Sequence, residues 1–395
     1  MELSTAKLSS IAKFSQGKQI PIEEQYMDTN EKRDRFIRIV DFTSGFREAP
    51  RYVDADDKYH VNSNEIIMIR YGTPGKVYRG VAGIIANNMF KITFDKSFID
   101  TNYGYWFLKQ NSIYNFLMMM NCSATMPAIT FKMLDRVQVQ FPVISIQRRI
   151  ASILSAYDNL IENNNKRIRL LEQMAENLYK EWFVRFRFPG HEKAEFENGL
   201  PKGWREEIAS TVIDVMSGGT PKTEREDYYG GDIPFYTPKD ADDSIFVYST
   251  ITNITEEGLA HCNSQYYPIN TLMITARGTV GKLSLLAVPM AMNQSCFALK
   301  FKDSRNPYYL YYSIKNEVAK LKKMANGGVF DTIIVKTFDH IKIIVPADKI
   351  LGAFDKQVTP ILEQIQHLQR QSALLSRQRD LLLPRLMSGK LEVNV

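Results

Sequence analysis

Cysteine is scarce in this 395-residue chain, with Cys122, Cys262 and Cys296 odd in number and far apart. A disulfide framework is excluded as the organising device, and a reducing cytoplasm is the simpler setting. Long apolar runs are absent too: nowhere do 18 apolar residues follow one another, and the opening MELSTAKLSSIAKF lacks a signal-peptide core. The expectation is a soluble, intracellular protein. Metal-ligand spacings are missing, since no C-x-x-C, H-x-x-x-H or H-E-x-x-H occurs and the neighbouring side chains His261 and Cys262 rarely converge on one ion. No G-x-S-x-G elbow appears, and the five histidines are scattered, which leaves acyl transfer without support. Charge of one sign is not in large excess either. Lys and Arg number 50 against 44 Asp and Glu, compatible with nucleic acid without requiring it.

Two near-motifs also fail on inspection. NPYY at 306–309 resembles the [DNS]-P-P-[FYW] grip on a flipped adenine, but its second proline is missing, and it reads as a helix start. PADK at 346–349 has no spaced acidic partner of a metal-dependent nuclease.

What is present is a duplication. GTPGK at 72–76 returns as GTVGK at 278–282. Neither is a Walker A loop, because Arg70 and Ala276 stand where its first glycine belongs and Val77 and Leu283 follow the lysines. FKMLDRVQVQFP (131–142) aligns with VKTFDHIKIIVP (335–346), each containing an alternating half-buried strand closed by proline. The aromatic stretches NYGYWFLKQNSIYNFL (102–117) and NPYYLYYSIKNEVAKL (306–321) align as helices, Asn87 matches Asn293, and FSQGKQIP (14–21) corresponds more weakly to VMSGGTP (215–221).

After each strand the apolar period changes from two to about 3.5. In the first half the seam is Ile150, Leu154, Tyr157, Ile161, Asn164, Ile168, Leu171, Ala175, Leu178 and Trp182. In the second, 204 residues on, it is Phe354, Val358, Ile361, Ile365, Leu368, Ser372, Leu375, Arg379, Leu382 and Leu386. Each predicts a helix of roughly 35 to 40 residues, about 50 to 60 Å long at 1.5 Å per residue. An unpartnered seam would stay wet, so the two helices are expected to pair antiparallel; two separate bundles are the alternative. Asn164, Ser372 and Arg379 are polar seam positions of the kind that fix register. The segment 187–203 reads as a linker, and Pro384 is expected to stop or kink the second helix. The fold class is α+β: two pseudo-symmetric α/β domains, 1–145 and 204–347, separated by two long helices, 146–186 and 348–395 with its tail, that form an antiparallel coiled coil.

With catalysis unsupported, binding remains. Arg70, Tyr71, Thr73, Lys76 and Arg79 surround one turn, and Arg277, Thr279 and Lys282 the other. Glycine lets backbone approach a phosphate, lysine neutralises it, and arginine can reach guanine N7 and O6. Further glycine-rich or polar loops supply Lys18 (SQGKQ), Thr220 and Lys222 (SGGTPKTER) and Lys239 (YTPKD), and ANGG at 325–328 is another. No helix-turn-helix, zinc-finger or RRM signature accompanies them.

The duplicated order of domain and long helix, the G-T-x-G-K turns, the exits VQVQFP and IKIIVP, the linker LPKGW and the tail LLLPRLMSGKLEV together resemble the specificity subunit of Type I restriction-modification systems, across nearly the whole chain. The resemblance implies two target recognition domains, each reading half of a bipartite, asymmetric double-stranded DNA site. It also implies helices that space the domains and dock two methyltransferase (modification) subunits. Those partners would carry S-adenosylmethionine and methylate adenine, and restriction subunits would use ATP and Mg; this chain would hold no cofactor, metal or catalytic residue and would work in the prokaryotic cytoplasm. The rival reading is a coiled-coil linking protein that joins partners without reading DNA.

Overall fold

The computed structural model describes residues 2–43, 49–120, 127–303, 305–324 and 332–393. Cys122 and the ANGG loop lie outside them. Two compact units are present, Met1–Asn163 with Ser372–Val395, and Asn164–Gln371.

In the first unit, Met89–Phe94 is the hub of a four-stranded sheet, flanked by Ala12–Gln16 on one side and Ile66–Ile69 on the other, with Val77–Tyr78 beyond. A second sheet is ordered Arg51–Asp54, Arg33–Ile37, Gly83–Ile85, His60–Val61, with Arg33–Ile37 parallel to Gly83–Ile85. The second unit repeats the plan. Cys296–Phe301 lies between Ile213–Ser217 and Leu272–Thr275, then come Leu283–Leu286 and Phe246–Val247, and a three-stranded sheet pairs Tyr229–Tyr236 parallel to Ala291–Met292.

In each unit an early strand pairs with the last. Ser4–Lys7 pairs antiparallel with Gln138–Phe141, and Arg205–Ile208 with Lys342–Val345. The alternation foreseen for these exits is present: Val139 and Phe141, Ile343 and Val345 are buried while Gln138, Gln140 and Lys342 face outward.

The aromatic stretches are helical, with one difference. In the first unit Thr101–Leu108 and Asn111–Met119 are separate helices, broken at Gln110, whose backbone is extended (ψ 137). In the second, Pro307–Met324 is continuous. Asn306 caps it by accepting from the Tyr308 amide at 2.8 Å, and the proline stands at the first helical position, where no N–H is needed. NPYY is a helix start whose Tyr308 and Tyr309 are buried.

The long helices are Ile144–Tyr179, extended by one π turn to Val184, and Asp348–Met387. Residues 144–163 and 372–387 belong to the first unit, where Asp158 meets Arg379. In the second unit Asn164 donates to Gln371 at 2.9 Å and Trp182 packs on Phe354, so the pairing there is antiparallel. None of the twenty seam residues is exposed; Ile150, Leu154, Ile168, Phe354, Val358, Ile361, Ile365 and Leu368 are buried, and Tyr157, Ile161, Leu171, Leu178, Leu375 and Leu382 partly so.

One expectation needs correction, and one segment is more ordered than its composition suggests. Pro384 does not end the second helix, which continues to Met387; the stop is Gly389, at φ 73 in the left-handed region, with the Leu391 amide returning to the Arg385 carbonyl at 3.0 Å. Residues 187–203, read as the linker between the halves, are packed and partly structured. Phe188 and Phe183 pack tilted against Trp204 at 5.0 and 5.7 Å, and the hairpin Phe196–Glu197 with Leu200–Pro201 turns on Asn198 (φ 50) and Gly199 (φ 81). Aromatic content outweighed the proline and glycine signals there.

Candidate nucleic-acid interface

The two G-T-x-G-K turns share one backbone. The Ile69 amide donates to the Lys76 carbonyl at 2.8 Å and the Gly75 amide to the Ile69 carbonyl at 2.9 Å; Thr275 with Lys282 (3.0 Å) and Gly281 with Thr275 (2.8 Å) repeat the pattern. All four glycines have φ between 75° and 96°, a region open to glycine. The second glycine also packs on the neighbouring helix: a Cβ on Gly75 would lie 3.2 Å from Tyr114, and one on Gly281 would lie 2.8 Å from Val318. Glycine in these turns is a packing requirement whatever else the turn does.

Other loops gather around each turn. In the first unit the Arg70 amide donates to the Asn88 carbonyl (2.8 Å), and the 16–19 loop is tied to 85–89 through the Gly17 and Lys18 amides. In the second, Ala276 donates to Ser295 (2.8 Å), Gly219 to Met292 (3.2 Å), and Gly278 approaches Pro238 of the 236–240 loop. Asp240 holds that loop, accepting from Thr237 N (2.8 Å) and Ile251 N (2.7 Å).

Sequence-selected side chains fall into two groups. Thr73 and Lys76 are exposed in the first turn, Lys76 Nζ standing 4.8 Å over Tyr114, and Arg277, Thr279, Lys222 and Lys239 are exposed in the second unit. These are available to a polyanion. The rest have protein partners. Arg70 is partly buried against Tyr71 and Phe90. Tyr71 bridges to Ala128. Arg79 donates to Asn102 Oδ1 (2.6 Å) and Ser155 Oγ (3.3 Å) and lies over Tyr105, which turns it toward the helices instead of the turn tip. Lys18 pairs with Asp56 at 2.9 Å; that hydrogen bond raises the lysine pKa and lowers the aspartate's. Lys282 pairs with Asp243 at 3.2 Å, and Thr220 donates to Gln294 Oε1.

Sequence reasoning passed over the amides Gln16, Gln19, Asn87 and Gln294, which bridge loops beside the turns. Amide residues are ordinary in polar loops, so only the Asn87–Asn293 match gave a trace of them. His261 stacks on Tyr228 at 5.1 Å, and among the described residues no group of three or more His, Cys, Asp or Glu side chains is placed to hold a metal. Burial pushes the Cys296 thiol up to about 12, which keeps it inert. Among the described residues no helix is long and apolar enough to cross a membrane.

The duplication recurs in comparisons with known proteins. The family model described as "Type I restriction modification DNA specificity domain" matches residues 2–173 and again 201–375. The chain is 26% identical over 332 residues to the Type I restriction enzyme HindI specificity subunit of Haemophilus influenzae, covering 68% of this chain and 72% of that one. It is 26% identical over 319 residues to the MjaIX specificity subunit of Methanocaldococcus jannaschii, covering 78% and 73%. Among solved structures it is similar to a Type I restriction-modification S subunit from M. genitalium, with a TM-score of 0.60 at 17% identity over 98% of this chain and 96% of that one, a likeness of fold alone.

Proposed function

The chain belongs to the family of Type I restriction-modification DNA specificity domains, and from that premise we propose that each unit reads one half of a bipartite, asymmetric DNA sequence. The observation that carries the reading is the recurrence, in both units, of one glycine turn ringed by loops and tipped by exposed cationic and hydroxyl side chains. A coiled-coil linking protein has no need of that second loop cluster. Lys76, Arg277, Lys222 and Lys239 supply phosphate contacts, and polar side chains between them meet base edges in the major groove.

The paired helices set the gap between half-sites and dock methyltransferase subunits. Those partners carry S-adenosylmethionine and, with restriction subunits, ATP and Mg; this chain contributes no catalytic group. The work takes place in the cytoplasm.

The test is single-molecule sequencing of adenine methylation in cells expressing this chain with a methyltransferase subunit that binds it. A two-part motif with a fixed gap, absent without this chain, is the expected result. Lys76→Glu should then weaken one half-site, and Arg277→Glu the other. An active, bound methyltransferase that yields no bipartite motif would overturn the reading in favour of the linking protein.

A further inference from the structure

Beside each glycine turn, two loops are joined by a side-chain hydrogen bond that uses matching positions but different residues. In the second unit Thr220 Oγ1 donates to Oε1 of Gln294. In the first, Asn87 Nδ2 donates to Oε1 of Gln19 at 3.2 Å, and Gln16 Nε2 donates to the Asn87 carbonyl at 3.1 Å. Gln19 and Thr220 are equivalent at the offset of 201 that relates the strands leading into these loops, Ala12–Gln16 and Ile213–Ser217. Asn87 and Gln294 lie on the other loop of the pair and are structural equivalents, one residue off the sequence match of Asn87 with Asn293: that loop bonds to the residue entering the glycine turn, through Asn88 to Arg70 and through Ser295 to Ala276.

The exposed amide therefore comes from opposite sides of the same bridge: Gln19 in one unit, Gln294 in the other. In both, the carboxamide oxygen is fixed by its neighbour. An amide oxygen has two lone pairs, and the bridge uses one. What remains is a held donor and acceptor pair: Nε2 with its hydrogens, which make no hydrogen bond among the described residues, and the second lone pair of Oε1. A surface glutamine would ordinarily be free to rotate, and its immobilisation removes much of the entropy cost of ordering it at an interface.

We propose that Gln19 and Gln294 are base-reading residues, each making a bidentate contact to N6 and N7 of one adenine in the half-site of its unit. The proposal rests on the reading of these units as DNA-recognition domains. The chemistry selects adenine because its major-groove edge alone offers an acceptor beside a donor in the order that a carboxamide complements. Thr220 and Asn87 are positioning residues that hold the carboxamide and touch no base.

The experiment compares methylation motifs written by the complete complex carrying wild-type chain, Gln294→Ala, Gln294→Glu or Gln19→Ala. Wild type must give a two-part motif, or the parent reading fails and the comparison does not arise. Given that motif, Gln294→Ala should relax the adenine requirement at one base pair of one half-site and slow methylation of the original site roughly tenfold, with the gap and other half-site unchanged. Gln294→Glu should move the preference at that same base pair toward cytosine, whose N4 amino group donates to a carboxylate. Gln19→Ala should act on the other half-site. Thr220→Ala should blur the base pair that Gln294 reads, and Thr220→Ser should restore it, which a merely structural threonine would not do. An unchanged motif for Gln294→Ala, or equal weakening of both half-sites, would overturn the proposal while leaving the parent reading in place.

Discussion

The two units use opposite chemistry for equivalent stretches of helix. In the first, the seam is polar around Arg379: Asp158 accepts from Arg379 and, at 3.3 Å, from Lys109, the Arg379 guanidinium lies over Trp106, and Trp106 donates to Ser155 at 3.0 Å. Beside Arg379 a cavity of about 350 Å³ remains, lined in part by Lys76, Tyr114 and Leu383. In the second, the positions 204 residues from Asp158 and Arg379 are Leu362 and Ala175, both fully buried. There Tyr179, Trp182, Phe183, Tyr309 and Phe354 form a continuous aromatic cluster with centroids 4.8 to 6.4 Å apart. A shared heptad register thus fixes where side chains point and leaves open what they are. Polar pairs give up apolar burial but penalise wrong registers: a slip of one heptad would take Arg379 off Asp158 and leave a charge in the seam.

The largest test strikes the aromatic cluster. Phe354→Ala should cost about 3 to 5 kcal/mol, and Ile150→Ala at the equivalent position of the first unit somewhat less, about 2 to 4 kcal/mol. Trp182 and Trp204 belong to the second unit and Trp106 to the first, so denaturant unfolding with single-tryptophan variants reports each unit separately. Equal losses at both sites would erase the distinction between the seams.

Next comes the polar pair. Arg379→Ala alone should destabilise by about 1 to 3 kcal/mol, because half-buried Asp158 loses its nearer cationic partner and retains Lys109 at 3.3 Å. The double change Asp158→Leu with Arg379→Ala, which copies the second unit, should recover most of that loss. Additive losses in the double-mutant cycle would refute the polar pair as a coupled device.

The glycine turns provide a finer comparison. Gly281→Ala puts a methyl 2.8 Å from Val318 at φ +75 and should cost about 2 kcal/mol, whereas Gly75→Ala meets Tyr114 at 3.2 Å and should cost about 1 kcal/mol. Thermal unfolding of the two variants measures the order.

The smallest effect concerns Asp355, which stands where the first unit has Ala151. Burial raises its carboxyl pKa to about 6, and Oδ1 is buried without a hydrogen bond. The folded state then holds its proton more tightly than the unfolded chain, so stability is greatest below about pH 4, falls as pH rises to about 6, and is flat above. Asp355→Asn should raise the melting temperature at pH 7.5 by a degree or two, roughly a few tenths of a kcal/mol once partial exposure is allowed for, and leave it unchanged at pH 4. A gain at both pH values would point to packing instead of ionisation.

Much of this was legible in the sequence. The seam residues announced themselves by period, because a helix buries one stripe whatever it packs against. The exits at Gln138–Phe141 and Lys342–Val345 announced themselves by alternation. The sites were less legible. Arg79 and Lys18 look like any basic residue near a turn, and only their partners, Ser155 and Asp56, reveal that they are already engaged.

By itself, then, the amino-acid order determined the duplication, the two long amphipathic helices and the family of recognition subunits, since periodicity and repeated motifs are local properties of the chain. Only the tertiary structure decided that Gly389 and not Pro384 ends the second helix, that 187–203 folds onto an aromatic core, and which side chains beside the turns remain exposed. The reason differs with the reach of the contacts. The side chains beside the turns depend on contacts between residues tens to hundreds of positions apart, such as Gln19 with Asn87 and Lys18 with Asp56, and the 187–203 segment on rings brought together from either end of it, whereas the Gly389 stop is local and was masked only by the stronger proline signal beside it.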